Sequence, residues 1–351
     1  MLTHHPATLP LLLLAAAPLA GDDEATLTFA PREGASRRLS IAVEQSLSGA
    51  ELEVTMNGSE VPGQFLPEIK MELTDRRELA LTETQTESGA DGAGEWLRRY
   101  DELAWTNEGQ MDMSGGGADG AYPWESTVDS PLEGRVLRFA SDDGESFDAA
   151  PADGEGDEDL LDGVEADLGL RRLLPTDGEP QAIGASWTVS GEGLAQLFEP
   201  GGNLGWELPP DMAQYMRLDY EERTHDGSLE LTLTKIEGGD APRAICAVEG
   251  KLTRVTVQEG DLSQVPVTDG TATDTVEEAW EVEGQLVWDL AANQVAALTL
   301  SGPFLQETHT ERDPDQDGPT YLSVFRLRGT HSFQLEREAL EGAAVEASVS
   351  R

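Results

Sequence analysis

The chain has 351 residues, 38% of them hydrophobic, and a formal net charge of -45 with a pI near 4.1. That balance excludes nucleic acid and anionic membrane surfaces as partners, because both are polyanions that such a chain repels. Cys246 is the one cysteine, so no internal disulfide can form and the fold must rest on its core.

Leu9–Ala17 forms a short apolar run, followed by Ala17-Pro18-Leu19-Ala20 and an acidic stretch from Gly21. This has the form of an export signal over residues 1–20, with cleavage before Gly21. The run is too short to span a bilayer, and no later segment is apolar enough to do so. The expected location is therefore exported, periplasmic or extracellular.

Residues 21–156 read as a β-rich half. Strands are expected at Thr26–Phe29, Leu39–Gln45, Glu51–Met56, Glu68–Leu73, Glu78–Thr86 and Gly134–Ala140. Asn57-Gly58 signals a tight hairpin, since both residues tolerate positive φ. Acidic residues crowd Asp142–Asp167. From Asp157 the apolar period turns helical through Leu160, Leu161, Val164 and Leu168, with acids at the amino end and Arg171 and Arg172 at the carboxyl end. Residues 157–175 are thus expected as a connecting helix, weakened by Gly163 and Gly169 and stopped by Pro175. Leu194, Leu197 and Phe198 form one apolar helical turn, and Pro209-Pro210 can open another toward Tyr215.

Residues 176–337 read as a second, antiparallel β half. Asp226-Gly227 is expected as a turn into Ser228–Ile236, where Leu229, Leu231 and Leu233 share a face. Arg243–Glu249, Lys251–Gln258, Gln294–Ser301, Phe304–Glu311 and Tyr321–Leu335 follow as strands, and residues 338–351 as a polar tail. The clearest pattern is Val276–Leu290. With a period of two, Val276, Trp280, Val282, Leu286, Trp288 and Leu290 fall on one face, and Glu277, Glu281, Glu283, Gln285 and Asp289 on the other. Glu278 and Val287 break the pattern. An apolar-Glu-Gly-x-apolar motif recurs around Gly134, Gly250 and Gly284, and glycine inside a strand marks a bulge or bend.

Three residue sets are candidate sites. Trp280, Leu286 and Trp288 share the apolar face and are candidates for contacting a hydrophobic ligand, with burial in the core as the competing reading. Asp313, Asp315 and Asp317 form the front half of a calcium loop, D-x-D-x-D-G. Val324 stands where the closing Glu belongs, so a plain turn is preferred and no cofactor is required. His225, His309 and His331 match no metal or catalytic spacing, and no nucleophile motif is present, so an enzyme is not expected.

Leu173-Leu174-Pro175 with Gly184-Ala185-Ser186-Trp187, and Gly284-Gln285-Leu286-Val287-Trp288-Asp289-Leu290, resemble elements of exported bacterial β-rich proteins of uncharacterised function. The resemblance implies export and a β fold and carries over no functional residue. In general shape, strands with a few short helices are also similar to lipoprotein-carrier half-barrels, an analogy that does not fix function. The expected architecture is mainly β, a curved antiparallel sheet in a barrel or half-barrel with a few short covering helices. The expected function is non-enzymatic binding of a lipid or other hydrophobic small molecule in an apolar interior. The alternative is a cell-envelope interaction module, meeting an envelope protein, whose interior is packed with side chains.

Overall fold

The computed structural model describes residues 24–88, 94–115, 120–141, 147–154, 158–161, 163–176, 178–191, 194–207, 222–261, 270–314 and 320–340. The expected export signal, the expected helix at Pro209–Tyr215 and the residues Asp315 and Asp317 lie outside the described residues.

The strands in chain order are β1 (Glu24–Ala25), β2 (Ser36–Met56), β3 (Ser59–Glu60), β4 (Glu68–Ser88), β5 (Gly94–Ser114), β6 (Gly120–Val128), β7 (Val136–Ser141) and β8 (Asp148–Pro151). They continue with β9 (Gln181–Ala182), β10 (Ser186–Ser190), β11 (Glu222–Glu237), β12 (Arg243–Asp261), β13 (Gly270–Asp289), β14 (Gln294–Pro314) and β15 (Tyr321–Leu340). Thirteen of them form one antiparallel sheet in the order β10-β11-β12-β13-β14-β15-β2-β4-β5-β7-β8, with β3 added to β2 and β6 to β5. β1 and β9 pair separately. The sheet is curved and open: β10 and β8 are its two ends and do not pair with each other. Pairing of β15 with β2 joins the amino- and carboxyl-terminal halves edge to edge.

The long strands have up to 21 residues, about 65–70 Å at the usual rise per residue. Several strand pairs expected from sequence are single strands. Leu39–Gln45 and Glu51–Met56 both belong to β2, and the two expected strands around Gly250 are both β12. Asp226-Gly227, expected as a turn, lies inside β11. The cause is a set of glycines that bend the strands without ending them. Gly250 faces Val282, and Gly284 faces Val248 and Leu300, so the two stand near each other on neighbouring strands. A Cβ on Gly284 would lie 1.9 Å from the Thr299 carbonyl oxygen, and one on Gly329 would lie 1.8 Å from that of Ser46. Backbones that approach this closely exclude any side chain, which fits close strand packing in a curved sheet. Gly134, the third copy of the motif, sits instead in a turn with φ 77. The Asn57-Gly58 hairpin forms as expected, with φ 50 and 76.

Alternation then sorts the two faces. Leu229, Leu231, Leu233, Cys246, Leu286, Trp288 and Leu298 are fully buried on one, while Glu249, Lys251, Glu281, Glu283, Arg328 and Glu336 are exposed on the other. The segment between β8 and β11 covers the apolar face. It is not the continuous helix its spacing suggests: Gly163 and Gly169 take φ 78 and 75, and the described residues hold only 3-10 turns at Glu158–Leu161 and Leu170–Leu173. A single α-turn, α1 (Ala195–Phe198), follows. Leu168, Leu170, Leu173, Leu194, Leu197, Phe198 and Leu204 from this segment share one hydrophobic core with the strands.

Candidate ligand-binding site

The structure places Trp280, Leu286 and Trp288 in that core. Trp280 stacks against Phe198 at 4.6 Å and against Phe304 at 5.3 Å. Trp288 is tilted against Phe29 at 6.5 Å, and Leu286 is fully buried. Of the calcium-like turn, the backbone of Asp313 pairs with Thr271 near the end of β14. Among the described residues, no three His, Cys, Asp or Glu side chains are gathered as a metal would need. His331 is buried, its pKa lowered chiefly by that burial, and its neutral ring packs edge-on against Phe198 at 5.9 Å.

Charges that stand in apolar-face register pair across the strands. Glu278, the exception in the β13 pattern, is the register partner of Arg254, which donates from Nε to it. Arg254 also bonds Glu199 at 2.6 Å and lies 5.4 Å above the Trp280 ring. Arg223 adds a second ion pair to Glu199 at 2.6 Å. Burial works to raise the Glu199 pKa, but Arg254 and Arg223 outweigh it and hold the group below its ordinary value.

A second charged row crosses β2, β4 and β5, where Arg37 pairs with Glu83 and Glu83 with Arg98. Each arginine grips one carboxylate oxygen: Arg37 Nε donates to Oε2 and Arg98 Nε to Oε1, both at 2.8 Å. Arg98 is 1% exposed and Glu83 3%. Burial alone would raise the Glu83 pKa, but the two guanidinium charges and their hydrogen bonds overcome it and hold the carboxyl at about 2. Glu83 is thus a fixed anion with both oxygens occupied. Arg98 carries the row into the covering segment, donating to the Glu165 carbonyl at 2.9 Å and the Ala166 carbonyl at 2.6 Å. Arg37 reaches the other way, to Gln294 on β14.

A cavity of about 630 Å³ opens beside this row. Leu27 and Phe29 from the amino-terminal stretch, Trp96 from β5, and Leu168, Leu170 and Leu174 from the covering segment supply its apolar lining. Trp96 is braced by Phe139 at 5.8 Å and Phe147 at 5.0 Å. A second cavity of about 270 Å³ adjoins it, sharing Arg37, Glu83, Gln85 and Trp96 and adding Gln294 and Arg337. The larger one falls in the size range of small-molecule sites, which are mostly apolar with a few polar groups that fix orientation. Trp280, Leu286 and Trp288 line neither.

Fold and site together define a class: an open, curved antiparallel sheet whose apolar face is covered by an inserted segment, with a polar-edged cavity left at one end. No protein-family model and no curated protein matches the chain. Among solved structures, an outer-membrane channel from Pseudomonas putida F1 is similar at 11% identity, covering 91% of this chain and 98% of its own, with a TM-score of 0.18. Pseudomonas aeruginosa OccK7 (OpdD) gives 8% identity, 85% and 99% coverage and a TM-score of 0.19. Pseudomonas aeruginosa OccK5 (OpdH) gives 7%, 85% and 98% coverage, and 0.19. Superpositions this slight carry nothing over to this chain. Its exposed face also differs from that of a membrane barrel, which turns an apolar band about 25 Å tall toward lipid. Here that face carries Glu249, Glu281, Glu283 and Arg328. Among the described residues, no helix is long and apolar enough to cross a membrane.

The sequence reading missed Arg37, Glu83 and Arg98. A signal was present: each stands in the apolar period of its strand, as in Arg37-x-Leu39-x-Ile41 and Leu79-x-Leu81-x-Glu83. A charge in that register must find a buried partner.

Proposed function

We propose that the chain is an exported, non-enzymatic binding protein of the β-rich bacterial type that its Leu174-Pro175 and Trp288-Asp289 elements resemble. It takes a hydrophobic small molecule into the cavity lined by residues 166–176 of the covering segment. The observation that carries this reading is the cavity of about 630 Å³, walled by leucines and aromatics. Glu83, saturated by two arginines, is suited to holding the covering segment in place and not to proton transfer. The export signal at residues 1–20 and the charged outer face fit a protein that works in the periplasm or outside the cell.

The packed-module reading has its own support, since Leu194, Leu197, Phe198 and Leu204 fill much of the apolar face. The experiment that separates the two is titration of the purified chain with an uncharged, environment-sensitive dye. The cavity reading expects saturable binding that Leu168→Trp, which fills the cavity, abolishes without lowering the melting temperature by more than a few degrees. Absence of saturable binding to a folded wild-type chain favours the packed module.

A further inference from the structure

We infer that the cavity selects a single-chain amphiphile with an anionic head, such as a carboxylate or phosphate monoester on an acyl-sized chain, and that Arg171 receives the head. This rests on the proposed reading of the cavity as a ligand site. The first observation is charge. The chain carries 68 acidic residues against 23 Lys and Arg, yet the lining of the two adjoining cavities inverts that balance. There Arg32, Arg37, Arg98, Arg171, Arg172 and Arg337 meet only Glu83, Asp167 and Asp289. An anion approaching this protein is repelled elsewhere on its surface and meets net positive charge here.

The second observation is which of these arginines is free. Arg98 spends its donors on Glu83 and on the Glu165 and Ala166 carbonyls, and Arg37 spends its own on Glu83 and Gln294. Arg32 donates to the Ala291 carbonyl, Arg172 is paired loosely with Asp167 at 3.4 Å, and Arg337 is paired with Asp289. Arg171 also lines the larger cavity and is half-buried, and among the described residues its guanidinium makes no hydrogen bond or ion pair. It sits in the 3-10 turn Leu170–Leu173, whose Leu170 is part of the apolar lining beside it. A planar fork without a partner among the described residues, at the edge of an apolar chamber, is the arrangement that recognises a carboxylate or phosphate bidentately while the chain lies against leucine and aromatic side chains. Arg337 adds a buried Nε without a partner in the smaller cavity, a second unused donor at the same end.

The test is displacement of the uncharged dye from the full chain by dodecanoate, dodecyl phosphate and dodecanol, with inorganic phosphate as the free anion. Dodecanoate and dodecyl phosphate are expected to compete at least about tenfold better than dodecanol, the scale of one charge-assisted bidentate contact. In Arg171→Gln that advantage should shrink to about threefold or less, with dodecanol unchanged, which also reports an intact fold. Equal competition by dodecanol and dodecanoate overturns the anionic head and leaves the cavity reading standing. A preference that survives Arg171→Gln overturns the assignment to Arg171. Loss of the dodecanoate advantage in the presence of millimolar inorganic phosphate would make this a free-anion site and overturn the amphiphile. Failure of the dye to bind at all takes the cavity reading down with it.

Discussion

Replacing Glu83 by Gln tests whether the buried charged row holds the covering segment on the sheet. Glu83 is 3% exposed, with Arg37 and Arg98 at 2.6–2.8 Å from its two oxygens. Gln preserves the shape but removes the only anion between two guanidinium groups and turns an amide N–H toward one of them. Breaking a buried ion pair on one side costs about 3–5 kcal/mol, because the remaining charges stay buried and unpaired. Linkage gives a consistent figure. The folded pKa of about 2 lies below the ordinary 4.5. A depressed carboxylate pKa means stability that is present above pH 4.5 and lost as pH falls toward 2. The gap of about 2.5 pKa units corresponds to about 3 kcal/mol. Urea melts at pH 7 should therefore show Glu83→Gln less stable than wild type by about 3–5 kcal/mol. At pH 3 the difference should narrow by about 2 kcal/mol, because wild-type Glu83 has then lost most of its advantage. Comparing the two proteins at each pH cancels the other titrating carboxylates. A difference below about 1 kcal/mol at pH 7, or one that does not change with pH, would refute the account of the row.

Trp288→Ala should cost about 3–5 kcal/mol, since a fully buried indole beside Phe29 leaves a large void, whereas Glu281→Ala on the exposed face should cost less than about 0.5 kcal/mol. Equal small losses in denaturant melts would mean that the register of β13 is wrong. Gly284→Ala should destabilise by about 1–3 kcal/mol because its Cβ would meet the Thr299 carbonyl, while Gly63→Ala, with open space around it, should be within about 0.5 kcal/mol of wild type. With a net charge of -45, the melting temperature should rise from low salt to molar NaCl as self-repulsion is screened. A flat or falling curve in differential scanning calorimetry would show that these charges do not oppose the fold. Calcium should bind at Asp313–Gly318 no tighter than about millimolar, because Val324 replaces the closing Glu. A micromolar site by calorimetry, lost in Asp315→Ala, would contradict that.

The local patterns read well from sequence because a strand with one wet face writes its period into the chain. Val276–Leu290 alternates as expected from Glu277 onward, and Trp280, Val282, Leu286 and Trp288 are buried with Glu281 and Glu283 exposed. Strand lengths were misread at Gly227 and Gly250. Glycine in sequence signals a turn and a bend equally well, and only the partner strand decides between them. The covering segment misled for a related reason. Its helical spacing is genuine, but Gly163 and Gly169 divert the chain at positive φ, and tertiary packing against the sheet replaces helical hydrogen bonding. The cavity site was the least legible part. Arg37, Glu83, Arg98 and Arg171 are distant in a sequence crowded with charge, and sheet register alone brings Arg37, Glu83 and Arg98 into one row beside the chamber.

Native mass spectrometry of the full chain, purified from its own host under gentle conditions, shows whether the cavity carries a ligand. A bound, non-covalent mass the size of an acyl-chain molecule is expected, released on activation and missing from Leu168→Trp. A bare chain in every charge state, from a wild-type protein that also fails to take up the uncharged dye, would contradict it.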